Sequence, residues 1–372
     1  MKNIKKLLTV TAISSATTWA APFMAVGDNA ELFLTGSVAV RFDDNIFLTG
    51  TNQQSDTVLS FTPGFELAFG KGSATQGSVY FREEIVRYSD NDNQDTSLSH
   101  FGFNSQYDNG KTKVGFLANF DQIAANQPGT TPALGTIAQR DVTTVKANTE
   151  FAFSEKTKFG TGIGYDKTDY APASFTDSKA FTVPLDVYYE MSPKLDMSAG
   201  YRYRDTDLTG AGRDEKTHFL NVGARGEFTP KMTGQIRIGY NKRSFDNGGD
   251  QTGLGVDTRL SYAMTEKTNL SFGVDNDFSN SGGGEATKVL NRTVGLQSAL
   301  SEQWNFSANL GLRTVEYANR DEDFFTGLFN VSYVYSTYLN FAASYSYQNN
   351  DSTAAGGDFK DNTFSFAANV RY

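Results

Sequence analysis

The sequence predicts an all-β chain folded as one transmembrane, antiparallel, up-and-down β-barrel of about eighteen strands, and three observations predict it. Apolar and polar residues alternate in segments of about ten along the chain, the period of a strand with one face in lipid and one in water. Short polar turns alternate with longer acidic or Gly- and Asn-rich stretches. The composition, with 30 Phe, 18 Tyr and 35 Gly against 8 Pro, favours strands joined by tight turns over helices.

Residues 1–27 read as a secretory signal: Lys2, Lys5 and Lys6 precede an apolar stretch that begins at Leu7, and small-residue exits lie between 20 and 27. The apolar core is far shorter than the roughly 20 residues of a spanning helix. Residues 28–372 form the expected barrel, with no linker that would divide it. Loss of the three signal lysines takes the net charge from -9 to about -12, which argues against a nucleic-acid partner. With 0 Cys, the fold has no disulfide, thiolate metal site or cysteine nucleophile to draw on.

In chain order, residues 38–67 read as a first hairpin around a loop at 43–56. The next strand, "SVYFREEIVRY" at 78–88, carries charge on both faces, so its register is open and a bulge or long loop is expected there. Gly160, Gly162 and Gly164 share the polar face of one strand, and Gly239 and Gly255 sit on others, which suits a crowded inner wall. In "FTVPLDVYYEM", Phe181, Val183, Leu185, Val187, Tyr189 and Met191 oppose Thr182, Asp186, Tyr188 and Glu190. In "LDMSAGYRYRD", Leu195, Met197, Ala199, Tyr201 and Tyr203 oppose Asp196, Ser198, Gly200, Arg202 and Arg204. The same split recurs at 339–348 and in the last segment, where Phe364, Phe366, Ala368, Val370 and Tyr372 share a face. A soluble β-sandwich also alternates, but it closes its core within about 100 residues and shows domain boundaries. In hydrocarbon an open sheet edge leaves backbone groups unsatisfied, so the first and last strands are expected to pair.

The run Phe42, Asp43, Asp44, Asn45, followed by Ser55, Asp56 and the Pro63-Gly64 pair, resembles the first hairpin of a β-barrel porin family of Gram-negative outer membranes that is often associated with exopolysaccharide secretion. The ending in Tyr372 resembles the aromatic carboxy-terminal signal read by the barrel-insertion machinery, which usually ends in Phe. The resemblance implies an outer-membrane barrel, with exopolysaccharide and a periplasmic export protein as expected partners.

Catalysis has little to stand on. His100 and Ser99 are strand neighbours pointing to opposite faces, as do His100 and Ser97, and neither histidine sits in a hydrolase motif. The acidic run at 89–95 offers oxygen ligands but lacks the glycine and closing glutamate of an EF-hand, so Asp90, Asp92 and Asp95 read as a solvated loop rather than a metal site. No cofactor motif is evident. The longest loop, 122–141, is either a surface flap or a segment folded into the lumen. The lumen face of successive strands carries Arg202, Arg204, Arg225, Arg237 and Arg259, interleaved with Asp186, Glu227, Asp257 and Asp275. These residues form either a basic patch facing passing anions or a set of ion pairs stiffening the wall, with Arg202, Arg237 and Arg259 expected near mid-depth and Arg225 lower. Phe61, Phe65, Phe120, Leu260, Phe272, Trp304, Leu310 and Phe366 are expected to face lipid, with Leu260 near the middle and Trp304 at the turn-side rim. The expected function is a passive aqueous channel of the outer membrane, for exopolysaccharide or, alternatively, for small solutes. A plugged surface-interaction barrel is the rival from another class. Outer-membrane lipid and lipopolysaccharide are the expected surroundings.

Overall fold

The computed structural model describes residues 22–124, 135–210 and 213–372. Residues 1–21 of the expected signal segment and residues 125–134 of the 122–141 loop therefore lie outside the described residues, whereas 22–27, the end of the expected signal segment, are described. A short strand β1 (Met24–Val26) forms a hairpin with β2 (Ala30–Asp43). From β2 onwards the sheet comprises β3 (Asp56–Phe69), β4 (Thr75–Tyr88), β5 (Thr96–Asp108), β6 (Thr112–Ala124), β7 (Gln139–Ala152), β8 (Thr157–Tyr170), β9 (Ser178–Ser192), β10 (Leu195–Leu208), β11 (Glu215–Thr229), β12 (Met232–Phe245), β13 (Asp250–Ala263), β14 (Thr268–Asn280), β15 (Ala286–Ala299), β16 (Trp304–Glu316), β17 (Asp321–Val334), β18 (Leu339–Ser352) and β19 (Phe359–Arg371). Each strand pairs antiparallel with the next, and β19 pairs with β2 from Thr363↔Asp43 to Arg371↔Thr35. The eighteen strands β2 to β19 thus close into one barrel, and the expected seam between first and last strands is present.

The turns explain the repeated wording of the sequence. At one end of the barrel five of the short turns open on a hydroxyl or amide side chain that accepts backbone N–H groups two and three residues on. Ser154, Thr229, Ser301, Ser336 and Asn109 all do this, at 2.7 to 3.4 Å. Such a side chain satisfies donors that a two-strand turn leaves open, so the chain reverses tightly without glycine at every corner. The other end carries the longer loops.

Most barrel strands run 13 to 15 residues, more than the 9–11 that a tilted strand needs to span a bilayer. All eight residues expected outward are there. Phe61, Phe65, Phe272, Trp304, Leu310 and Phe366 are exposed, Leu260 pairs with Phe272, and Phe120 pairs with the exposed Phe101. Trp304, first residue of β16, packs against Tyr333 with ring centroids 4.8 Å apart at the short-turn rim. Leu260 departs from its expected depth: it lies three residues from the turn end of β13, whereas Leu310 lies six residues into β16.

The strand at 78–88 is regular, which corrects the expected bulge or long loop. Its register against β3 is unchanged from Val58↔Tyr88 through Phe61↔Ile85 to Phe69↔Gly77. The charges that blurred its faces find partners on both sides: Glu84 points inward to His100, and Glu83 on the outer face accepts the Ser99 hydroxyl at 2.6 Å.

The inner wall is crowded as expected. A Cβ at Gly255 would sit 2.3 Å from the Phe219 ring and one at Gly160 would sit 3.0 Å from Tyr188, so these glycines let inward aromatics lie flat on the wall. Because the sheet closes on itself through β2 and β19, detergent at room temperature should leave it folded. We expect the protein to migrate faster on a gel unheated than boiled; a single position under both conditions would contradict a closed barrel.

Candidate functional site in the barrel lumen

All five arginines and four acids singled out from sequence lie on the inner face, and they meet as follows. Arg237 donates to Asp186 at 3.3 Å and to the Tyr188 hydroxyl at 2.8 Å. Arg225 donates to Glu150 at 2.6 Å and to Asp196 at 3.1 Å, and Asp196 also accepts from Lys158. Arg259 bonds Asp257 and keeps 69% of its side chain exposed. Glu227 is held by Lys194 at the turn side. Arg202 and Arg204 converge on Asp277, at 2.7 and 3.1 Å. Asp275 sits beside this group on the same face of β14. Arg202 lies seven residues from the turn end of its strand, Arg237 five, and Arg225 and Arg259 four, so Arg259 is lower than expected.

Sequence reasoning missed Glu150 and Asp277 and placed Asp196 on the polar face without a partner; these three acids hold most of these arginines. Asp277 shares the inward parity of Asp275 and was legible in the alternation. That it would reach β10 was not. It also missed the most buried ion pair of the barrel among the described residues. Arg243 on β12 is 0% exposed and Glu215 on β11 is 1% exposed, 3.4 Å apart.

Arg243 reveals where the β14–β15 hairpin goes. Its guanidinium donates to the Ser279 carbonyl at 2.8 Å and to the Thr287 carbonyl at 3.1 Å, one on each strand of the hairpin. In a continuous sheet β14 and β15 would lie about 10 and 14 Å from β12, out of joint reach of one inward side chain. The hairpin tip therefore leans over the inner face of β12. Its loop continues across the mouth: Gly282 accepts from the Thr176 amide at 2.8 Å, and Gly284 accepts from Arg213 at 2.9 Å. Arg320 clamps Glu285 with two bonds of 3.0 and 2.7 Å, and these hold the Glu285 carboxyl below the usual carboxylate range. A depressed carboxylate pKa means that the clamp is complete above an ordinary glutamate pKa of about 4.3 and is lost as pH falls below it. Burial beside the clamp pushes Tyr317 up to about 12.

A second element enters from the other side. Residues 44–55 turn inward, so that Ile46, 6% exposed, packs on Val58, Val86, Tyr88 and Leu98, while Leu48, 4% exposed, packs on Val289, Val315, Phe324 and Phe359. Asn45 fixes the turn by donating to the Thr49 and Lys360 carbonyls and accepting from the Thr49 amide. Leu48 adopts φ 51°, a left-handed conformation that costs a non-glycine residue about 1–2 kcal/mol. Burying the leucine side chain returns about 1.5–3 kcal/mol, enough to hold it there. Asp56 gathers the amides of Ser89, Asp90 and Asn91, which ties the 89–95 run to the wall through backbone donors. The Asp-Asp-Asn and Ser-Asp run of the first hairpin thus builds an inward strap, and the Phe47 carbonyl accepts from the Gly135 amide, the described end of the 122–141 loop.

The two histidines occupy different faces. His100 is inside, 2.9 Å from Asp121 and 3.7 Å from Glu84, while Ser99 points outward. His218 is on the outer face, 2.7 Å from the Tyr201 hydroxyl.

With a closed barrel and a polar, ion-paired lumen in place, the comparison with known proteins is specific. Residues 21–372 match the family described as "Putative beta-barrel porin 2". The chain belongs to this family. No curated protein matches it. Solved structures similar to it include OccAB4 of Acinetobacter baumannii, 10% identical with a TM-score of 0.48 over 95% of this chain and 100% of that one. OpdK of Pseudomonas aeruginosa, solved with vanillate, is 9% identical with a TM-score of 0.48 over 92% and 99%. The ferric enterobactin receptor PfeA of the same organism, as a double mutant, is 9% identical with a TM-score of 0.48 over 92% and 80%.

Proposed function

We propose that this porin-family barrel is a passive channel for small hydrophilic solutes in the outer membrane of a Gram-negative bacterium, with the short turns in the periplasm and the long loops outside. One observation carries the reading: a closed sheet of eighteen strands with an apolar outer band and a polar inner face, a size that ordinarily leaves an aqueous bore. Above the band on the long-loop side, the outer face carries ion pairs such as Lys167–Asp169, Lys242–Asp250 and Lys288–Glu316, a surface suited to lipopolysaccharide headgroups. Conductance of the purified protein in a planar bilayer tests the channel. Folded barrels that stay silent would turn the assignment to a surface-interaction barrel.

The lumen arginines set the selectivity test. Replacing Arg202, Arg237 and Arg259 together by Glu should shift the reversal potential towards cations, with Arg259 contributing most because it is the most exposed. A conducting triple variant with an unchanged reversal potential would reduce the arginines to wall ties.

Exopolysaccharide passage with a periplasmic export protein is the second reading, favoured by the family resemblance and by the wall of β15 to β18, whose inward residues include Thr293, Gln297, Asn309, Thr326, Asn330 and Ser344. Uncharged amides and hydroxyls suit sugar hydroxyls. A sugar chain needs a continuous bore, however, and the strap and hairpin tip cross it. Loss of surface polysaccharide on deleting the gene would support export over solute diffusion.

A further inference from the structure

The sheet is closed, but one ladder stops early. β13 and β14 pair from Ala263↔Asn269 only as far as Val256↔Asn276. Beyond that point β13 stays with β12 out to Ser244↔Asp250, and β14 stays with β15 out to Asn280↔Ala286. Between the diverging strands the Asn276 side chain donates to the Leu254 carbonyl at 2.9 Å, and the Phe278 ring fills the space beside Gly253. What holds residues 277–287 in the lumen is a set of side-chain bonds and loop contacts instead of a strand ladder to β13. Asp277 is the centre of that set: Arg202, Arg204 and Asn241 all donate to its carboxylate, at 2.7, 3.1 and 2.6 Å.

We infer that residues 277–287 form a hinged flap, latched in the lumen by Asp277, whose other position is in the barrel wall against the free edge of β13. The inference rests on the channel reading for its purpose and on the ladder for its mechanics. Continuing the existing register places Gly255 opposite Asp277, Leu254 opposite Phe278, Gly253 opposite Ser279 and Thr252 opposite Asn280. Zipping these pairs would satisfy the β13 edge and withdraw the hairpin tip from the bore. The hinge is the end of the ladder at Val256 and Asn276, so the swing breaks side-chain contacts and no backbone pairs below it. In the latched position Asn280 donates to Glu215 on β11, two strands away from Thr252, so those two residues come together only in the swung position.

The chain has 0 Cys, so introduced pairs report cleanly. Thr252→Cys with Asn280→Cys should form a disulfide under mild oxidant in folded, heat-modifiable barrels. Asp277→Asn in that background should raise the crosslinking rate about tenfold or more, the size expected for losing hydrogen bonds to a charged group. Thr258→Cys with Val274→Cys, already in register, is the control that the oxidant reaches the seam. If the control crosslinks and the 252–280 pair stays reduced with and without Asp277→Asn, the flap does not exist. Crosslinked barrels should conduct more than reduced ones. A crosslink that leaves conductance unchanged overturns the gating role, whereas barrels silent in both forms overturn the channel reading and leave the crosslink to decide the flap.

Discussion

Replacing Arg243 by alanine is expected to cost the folded barrel about 3–5 kcal/mol, read as a lower urea midpoint in lipid vesicles. The guanidinium is fully buried and meets Glu215, the Gln251 side-chain oxygen and two hairpin carbonyls, with the Phe278 ring 4.6 Å away. Alanine removes all of these donors at once and strands the Glu215 carboxylate, which among the described residues keeps the Asn280 amide. Leaving a charge buried without its partner is the costly event, more than losing the pair itself. Arg243→Leu with Glu215→Leu should therefore lose less than Arg243→Ala alone. A double variant that is worse than the single would mean that the carbonyl contacts, and not the stranded acid, dominate.

An arginine on the outer face should obey depth. At Leu310, six residues into β16, it is expected to cost about 2–4 kcal/mol of insertion free energy. At Leu260, three residues from its turn, a long arginine side chain can reach the interface, and the loss should be smaller. At Trp304, on the rim itself, it should fall towards zero. Yields of heat-modifiable protein refolded into vesicles would rank the three. Equal losses at all three positions would mean that the apolar band is not lipid-facing in the way the strand faces require.

Most of the wall was legible in the sequence because alternation encodes which face a side chain takes, and a barrel asks little else of a strand. The eight outward residues follow from that rule, and the pairing of first and last strands follows from the cost of an open edge in hydrocarbon. Depth was less legible: Leu260 and Arg259 sit nearer the turns than the mid-depth expected of them. Charge on both faces of β4 suggested irregularity, whereas each charge is answered locally by Ser99 or His100. What alternation cannot encode is contact across the lumen. Arg225 on β11 meets Glu150 on β7, and Asp277 on β14 meets Arg202 on β10, pairs set by wall curvature and by a ladder that stops short. The inward strap at 44–55 was visible as a motif without its meaning, since Asn45 and Asp56 act on backbone groups of Thr49, Lys360 and Ser89 to Asn91 that no periodicity marks.

The seam between β2 and β19 has a consequence for how the protein is made. Leu34 and Tyr372 exchange backbone hydrogen bonds of 2.6 and 2.9 Å, joining points that lie almost a whole chain apart. Until the final strand exists, every intermediate carries two long raw edges and an apolar face with nothing to cover it. Contacts so distant in sequence also form slowly. The barrel can therefore close only once its last strand is present and meets the first, and until that single seam forms the rest of the sheet, however well paired, keeps an open edge on each side.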